Sequence, residues 1–376
     1  MPERQPLLPT GCLAAGPWPD TLREARTVLE GLGQDPSFAA VAHRVALLAP
    51  EDPGGLRTDL FWFCLGMLLN QAQGHTRLDL EAPGWPEPIQ ARLQHRTPLA
   101  SFLADPALSR LVVDGRQPGP FIRAGRWIST HRLHTSEGML AEALRARIGT
   151  PARPCAIPEE VLLHPTPLNP EQRQAVALGL GSPLALITGG PGTGKTSIVV
   201  ALLRAALRLE AGLALDRILL AAPTGKAAQR MGEAIRKGLR RLAPGQGTVL
   251  EGPDGELLRL GPEPQTLHRA LGYHPGLNRF RFGEGNPLPY DLVIVDEGSM
   301  IGVELMEALA RALAPGARLI LLGDADQLPS VDPGAVFREL VAGCPEKVAR
   351  LLHSYRMDPS DPHGRHILVQ ALRIND

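Results

Sequence analysis

The sequence predicts an α/β fold: a parallel sheet with helices on both faces, preceded by a smaller, mainly helical α+β domain. Three observations carry this. From residue 184 onward, apolar runs of strand length alternate with segments of helical period. The first of those runs leads into a glycine-rich loop and then directly into a helix, so strand, loop and helix N-terminus follow one another. A proline-dense stretch, with prolines at 151, 154, 158, 165, 167 and 170, separates this part from the first 150 residues.

The elements follow in order. Segments 21–32 and 37–48 have amphipathic helical spacing, and 60–73 is a strongly apolar helix carrying Phe61, Trp62 and Phe63. Segments 111–113 and 121–122 read as short strands around a turn at Asp114-Gly115. After the proline-rich stretch come strand 184–188, helix 197–210, strand 217–222 and helix 226–241. Strand 292–295, helix 302–313 and strand 319–322 complete the series. Residues 243–290 are rich in Gly and Pro and read as irregular. There is no internal repeat. The expected domains are 1–150, a linker at 151–170, and one α/β lobe over 171–356.

Composition narrows the partners. Formal net charge is +0 across 376 residues, so a nucleic-acid surface has to be a local stripe. Of 39 Lys plus Arg, four are lysine: Lys195, Lys226, Lys237 and Lys347. Lysine is a compact point charge where arginine is a planar fork, so its few positions draw attention. The cysteines, Cys12, Cys64, Cys155 and Cys344, form no C-x-x-C pair and read as reduced thiols of a cytoplasmic protein. The longest apolar run, 60–69, is too short to span a bilayer, so no membrane partner is expected.

Chemistry concentrates in a few places. Gly189-Gly190-Pro191-Gly192-Thr193-Gly194-Lys195-Thr196 has the G-x-x-x-x-G-K-S/T spacing of a phosphate-binding loop. Glycines let backbone N–H groups turn inward on a triphosphate, Lys195 neutralises the β- and γ-phosphates, and Thr196 offers a hydroxyl to Mg²⁺. This predicts ATP and Mg²⁺ as ligands. Asp296-Glu297 ends a following apolar strand: Asp296 would hold the Mg²⁺ shell and Glu297 would activate water. Gln327 follows the next strand, where it can reach a γ-phosphate. Gln172 has an amide suited to an adenine edge, yet Asn169-Pro170 before it makes a good helix start, and both roles stay open. Thr224 and Lys226, leaving one strand into a helix, suit a polynucleotide phosphate, and Thr266 with His268 form a second such candidate. Arg236, Lys237, Arg240 and Arg241 read as a solvated helix face.

Taken in order, these segments resemble the RecD-like branch of superfamily 1 helicases, DNA motors built on RecA-like lobes. Asn169–Gln172 is similar to the Q motif, Gly189–Thr196 to motif I and Pro223–Ala228 to motif Ia. Thr266–Gly272 resembles the T-x-H-R-L-L-G segment, and Asp296–Met300 motif II, where Gly298 replaces the usual alanine. Gly323–Leu328 is similar to motif III and Tyr355-Arg356 to motif IV. Upstream, Gly74–Leu80 and Val113–Trp127 resemble segments of RecD N-terminal domains. The resemblance implies a P-loop ATPase with Arg356 reaching the γ-phosphate. It further implies 5′→3′ motion on single-stranded DNA entered from a duplex end, and docking on RecB and RecC subunits in double-strand break repair. Stand-alone RecD2-like helicases are the alternative within the branch, and a non-catalytic assembly module is the alternative outside it. Nothing similar to motifs V and VI follows motif IV. The expectation is therefore an N-terminal domain plus a first lobe, with 357–376 opening a second lobe that is missing, and an isolated chain defective in unwinding.

Overall fold

A computed structural model describes residues 18–50, 54–163, 167–209, 213–243, 250–327 and 332–353. The chain divides into two compact units, Met1–His134 and Thr135–Asp376.

The first unit is organised around the helix Leu56–Ala72. Leu60, Phe61, Trp62, Phe63, Leu65 and Met67 along it are all buried. A helix apolar around its whole circumference has to be enclosed. Here the helices Ser37–Ala46 and Glu87–Leu93 pack against it. A four-stranded sheet completes the unit, in the order Leu78–Asp79, Trp127–Thr130, Phe121–Ala124, Val112–Val113. Val112–Val113 runs parallel to Phe121–Ala124, with Val112 opposite Phe121. Those two strands therefore do not form a hairpin across Asp114-Gly115. The hairpin is the next pair, in which Phe121 faces Thr130.

Among the described residues the second unit holds six strands: β1 (Leu184–Gly189), β2 (Ile218–Ala222), β3 (Gln265–Thr266), β4 (Leu292–Val295), β5 (Arg318–Gly323) and β6 (Val348–Leu351). They form one sheet in the order β6-β1-β5-β4-β2-β3, and every neighbouring pair is parallel. Besides the helices His131–Gly149 and Glu159–Leu163, its helices among the described residues are α1 (Pro170–Gly181), α2 (Lys195–Leu209), α3 (Gly225–Arg240), α4 (Gly252–Leu260), α5 (Leu267–Ala270), α6 (Val303–Ala312) and α7 (Val336–Gly343). Strands β1, β2 and β4 are buried at nearly every residue. Continuous burial is what a parallel sheet covered on both faces requires, and it explains why these strands read as unbroken apolar runs. In such a sheet the C-terminal strand ends face one crevice.

The span 243–290 contains more order than its composition suggests. Helix α4 starts Gly252-Pro253-Asp254-Gly255, a poor local helix former, and tertiary ion pairing holds it. Asp254 accepts hydrogen bonds from Arg204 at 3.1 and 3.0 Å and from Arg208 at 2.8 and 2.9 Å, both on α2. The proline-rich stretch after Gly149 is pinned to the second unit. Arg153 N–H donates to the Gly181 carbonyl at 2.8 Å, and the buried Lys347 ammonium donates to the Thr150 carbonyl.

Candidate active site

The phosphate loop hangs between β1 and α2 at the crevice. Gly192 and Gly194 have φ of 81° and 87°, left-handed values that exclude an ordinary side chain. Gly189 is required for a different reason. A methyl group there would stand 2.8 Å from Leu351 Cβ on the neighbouring strand β6 and 2.8 Å from Thr193 Oγ1. Thr193 is buried and donates its hydroxyl to the Gly190 carbonyl at 2.9 Å. Pro191 is exposed at the loop tip, while Gly190 and Thr196 are half-buried. The Lys195 ammonium folds back over the loop and donates to the carbonyls of Gly189 and Gly190, the latter at 3.2 Å.

Gln172 is 4% exposed, and the structure shows how its amide is used. Its Oε1 accepts from Asn169 N–H at 3.2 Å while Asn169 Oδ1 accepts from Gln172 N–H at 2.8 Å, a reciprocal capping box at the start of α1. Its Nε2 donates to the Thr193 carbonyl at 3.3 Å. Gln172 thus ties a helix start to the phosphate loop. Beside it, Glu171 Oε2 accepts from the backbone N–H groups of Leu352 and His353 at 2.8 and 3.3 Å, where the chain leaves β6.

Strand β4 delivers the acid pair. Asp296 Oδ1 accepts from Glu297 N–H at 2.9 Å. Burial raises the Asp296 carboxyl above its ordinary range, against the pull of the Glu297 N–H and the Lys195 charge. Burial also raises Glu297, and the Asp296 charge pushes the same way, while Lys195 and Arg230 pull it down. The phosphate-loop lysine is therefore electrostatically coupled to both acids. Glu297 has φ 55° and ψ 40°, a left-handed backbone on a residue with a full side chain. Strain of that kind persists only where the surroundings over-determine it. Strand β5 ends beside the acid pair. There Ala325 N–H donates to Thr188 Oγ1 of β1 at 3.1 Å, Gln327 N–H donates to the Asp324 carbonyl at 3.3 Å, and the Gln327 side chain is exposed.

The Thr196 hydroxyl and the Asp296 carboxylate are hard-oxygen groups of the kind that would suit Mg²⁺, an ion that keeps waters and takes substrate phosphates as its other ligands. Among the described residues no group of three or more His, Cys, Asp or Glu side chains could cage a metal. Tyr355 and Arg356 lie outside the described residues.

The remaining candidates gather elsewhere, at the outer edge formed by β2 and β3. Ala222 is paired with Thr266 there, so the two chain exits lie side by side. Thr224 caps α3, accepting from Ala227 N–H at 3.2 Å, and Thr266 caps α5, accepting from Arg269 N–H at 3.2 Å. Thr224, Lys226 and His268 are exposed, and the His268 ring meets the edge of Tyr273 with centroids 5.3 Å apart.

Comparison with known proteins adds the family. A domain family described as an AAA domain matches residues 172–333. The RecBCD enzyme subunit RecD of Mycobacterium tuberculosis is 38% identical over 325 residues, covering 83% of this chain and 50% of that protein. The chain thus spans about half the length of that relative. The ATP-dependent RecD2 DNA helicase of Deinococcus radiodurans is 37% identical over 246 residues, covering 63% of this chain and 29% of that protein. Along most of its length the chain is therefore similar to RecD-type helicases. A far looser likeness, with a TM-score of 0.36 and 20% identity over 56% of this chain and 44% of that one, is to the Pif1 helicase from Candida albicans.

The motif spacing picks out the phosphate loop and the acid pair, and the structure brings both to one crevice. Two features lie outside the motif spacing. One is the left-handed backbone of Glu297. The other is Phe337 of α7, buried beneath the acid-pair turn. A glycine where the family usually has alanine, at Gly298, is the mark that could have led to it.

Proposed function

We propose that this chain is the nucleotide-hydrolysing lobe of an ATP-dependent DNA helicase. The observation that carries the proposal is the convergence of a complete phosphate loop and an acid pair whose charges couple to Lys195. Lys195 leaves the loop carbonyls to neutralise the β- and γ-phosphates. Thr196 and Asp296 would hold Mg²⁺, which would supply positive charge beside the phosphates. Glu297 accepts a proton from the attacking water, and Gln327 and Arg356 meet the γ-phosphate. Single-stranded DNA runs along the outer edge, its phosphates met by Thr224, Lys226, Thr266 and His268.

The likeness to RecD proteins supports 5′→3′ motion, entry at duplex ends, docking on RecB- and RecC-type subunits, and a cytoplasmic role in break repair. The likeness to RecD2 supports a second reading, a motor that works without those partners. Among the described residues no helix is long and apolar enough to cross a membrane.

The test is ATP turnover by the full chain with and without single-stranded oligonucleotide, repeated with RecB- and RecC-type subunits present. Turnover that DNA stimulates supports the reading. Nucleotide binding without turnover under every condition contradicts it, and stimulation that is independent of the partner subunits favours the second reading.

A further inference from the structure

We propose that Phe337 is a positioning residue of the hydrolytic site, fixing the turn that carries Glu297 against the turn that carries Gln327. The inference rests on the hydrolytic reading above. Phe337 sits on α7, outside every motif, and is 1% exposed. Its ring lies on two glycines at once. A methyl group at Gly298, next to Glu297, would stand 3.2 Å from Phe337 Cδ2 and 3.2 Å from the Leu322 carbonyl oxygen. A methyl group at Gly323, where β5 turns toward Gln327, would stand 2.9 Å from Phe337 Cε1 and 3.1 Å from Cζ. The same position is 3.0 Å from Ser299 N, so the two turns also touch each other.

The same stretch of chain grips the acid-pair turn a second time. Val303 N–H donates to the Pro333 carbonyl at 2.9 Å, and a methyl group at Gly302 would stand 2.6 Å from Asp332 Cβ. Residues 332–337 therefore hold 298–303 at both ends. Met300 N–H closes the turn onto the Glu297 carbonyl at 3.0 Å. These contacts supply the over-determination that a left-handed Glu297 needs. The ring packs on the two turns. It acts through the backbone on which the water-activating carboxylate stands, and a small displacement of such a group is felt in turnover before it is felt in binding. The arrangement also explains Gly298: an alanine there would press on the ring.

The experiment measures nucleotide affinity and kcat for wild type, Phe337→Leu, Gly298→Ala and the double variant, each checked for cooperative melting. Phe337→Leu should lower kcat about tenfold with nucleotide Kd within about twofold, since misplacement acts on the reacting geometry. Gly298→Ala should do the same from the opposite side of the ring. The double variant should recover most of the loss, because leucine vacates the space the new methyl group takes; coupling of that sign is expected of residues that touch. Phe337→Met is the fallback should Phe337→Leu fail to fold. Unchanged kcat in Phe337→Leu, kcat and affinity falling together, or single losses that simply multiply would overturn the proposal. A wild type that binds ATP without hydrolysing it contradicts the functional reading instead. The ring's role is then judged by hydrogen exchange at the Glu297 amide, which should quicken in Phe337→Leu; unchanged exchange would overturn it.

Discussion

The phosphate loop and the outer edge of the sheet use one device, a strand running into a helix N-terminus, to opposite effect. At β1 the loop is interlocked. Gly189 lies under Leu351, Thr193 is buried and bonded to Gly190, and Gln172 is 4% exposed and bonded to Thr193. At β2 and β3, Thr224, Lys226 and His268 are exposed and Thr266 is half-buried, and both threonines cap helices. A capping hydroxyl accepts with its oxygen and keeps its O–H free to donate, so Thr224 and Thr266 can still serve a phosphate. On the proposed function the difference separates a site for chemistry from a track. Catalytic groups need fixed geometry in a partly dry place, where charges are strongly felt. A surface that releases and regrips a polymer needs interactions that are individually weak and solvated. Mutations should therefore be severe at the first region and mild at the second.

The largest effect is expected at Lys195→Ala, where ATP turnover should fall by about 100-fold or more through loss of phosphate neutralisation. Melting should be unchanged. A comparable loss at Lys226→Ala would erase the contrast between the regions.

The next effect is on stability behind the phosphate loop. Asp254 anchors α4 to α2 through Arg204 and Arg208, and Asp254→Asn should destabilise the second unit by about 3 kcal/mol in denaturant unfolding, by removing the charge that faces the buried Arg204 and the mostly buried Arg208. Burial pushes the Asp254 carboxyl up, and the hydrogen bonds from Arg208 and Arg204 more than reverse this, leaving it below its ordinary value of 3.8. Its stabilisation is therefore present above that ordinary value and lost as pH falls through the lowered one. The acid pair has the opposite sign. Asp296 and Glu297 are raised, so what they contribute to stability is present at acid pH and lost as pH rises through their raised values. For turnover Glu297 must be ionised, so the acid limb of the pH–rate profile should lie above 4.5, the ordinary glutamate value. Arg230→Gln should move that limb further up, because the Arg230 charge holds Glu297 down. A limb that stays put would remove Glu297 as the titrating group.

The smallest effect is expected at the track. Lys226→Ala should weaken single-strand binding a few-fold and reduce the salt slope by about one unit, as follows when one phosphate is no longer neutralised. Undiminished affinity at low salt would take Lys226 off the DNA path.

The same contrast sets what could be read from the sequence. Strands β1, β2, β4 and β5 and helices α2, α3 and α6 were legible within two residues at their ends, because buried parallel strands and their amphipathic helices leave a strong local pattern. Helix α4 was not legible. Its first turn holds two glycines and a proline, and an ion pair to α2 supplies what local propensity lacks. The two-residue strand β3 and the four-residue strand β6 owe their form to their neighbours. In the site, glycine spacing announced the phosphate loop. The strained Glu297 and the ring beneath it arise from packing between segments distant in the chain, which no local pattern records.

The account stands most directly on Glu297, and Glu297→Gln compared with wild type is the measurement that tests it. The amide keeps the size of the side chain and loses the ability to take the water's proton. ATP·Mg²⁺ should bind with affinity close to wild type, while single-turnover hydrolysis slows by about 100-fold or more. Hydrolysis at the wild-type rate, or loss of nucleotide binding in place of turnover, would contradict the assignment of Glu297 as the base.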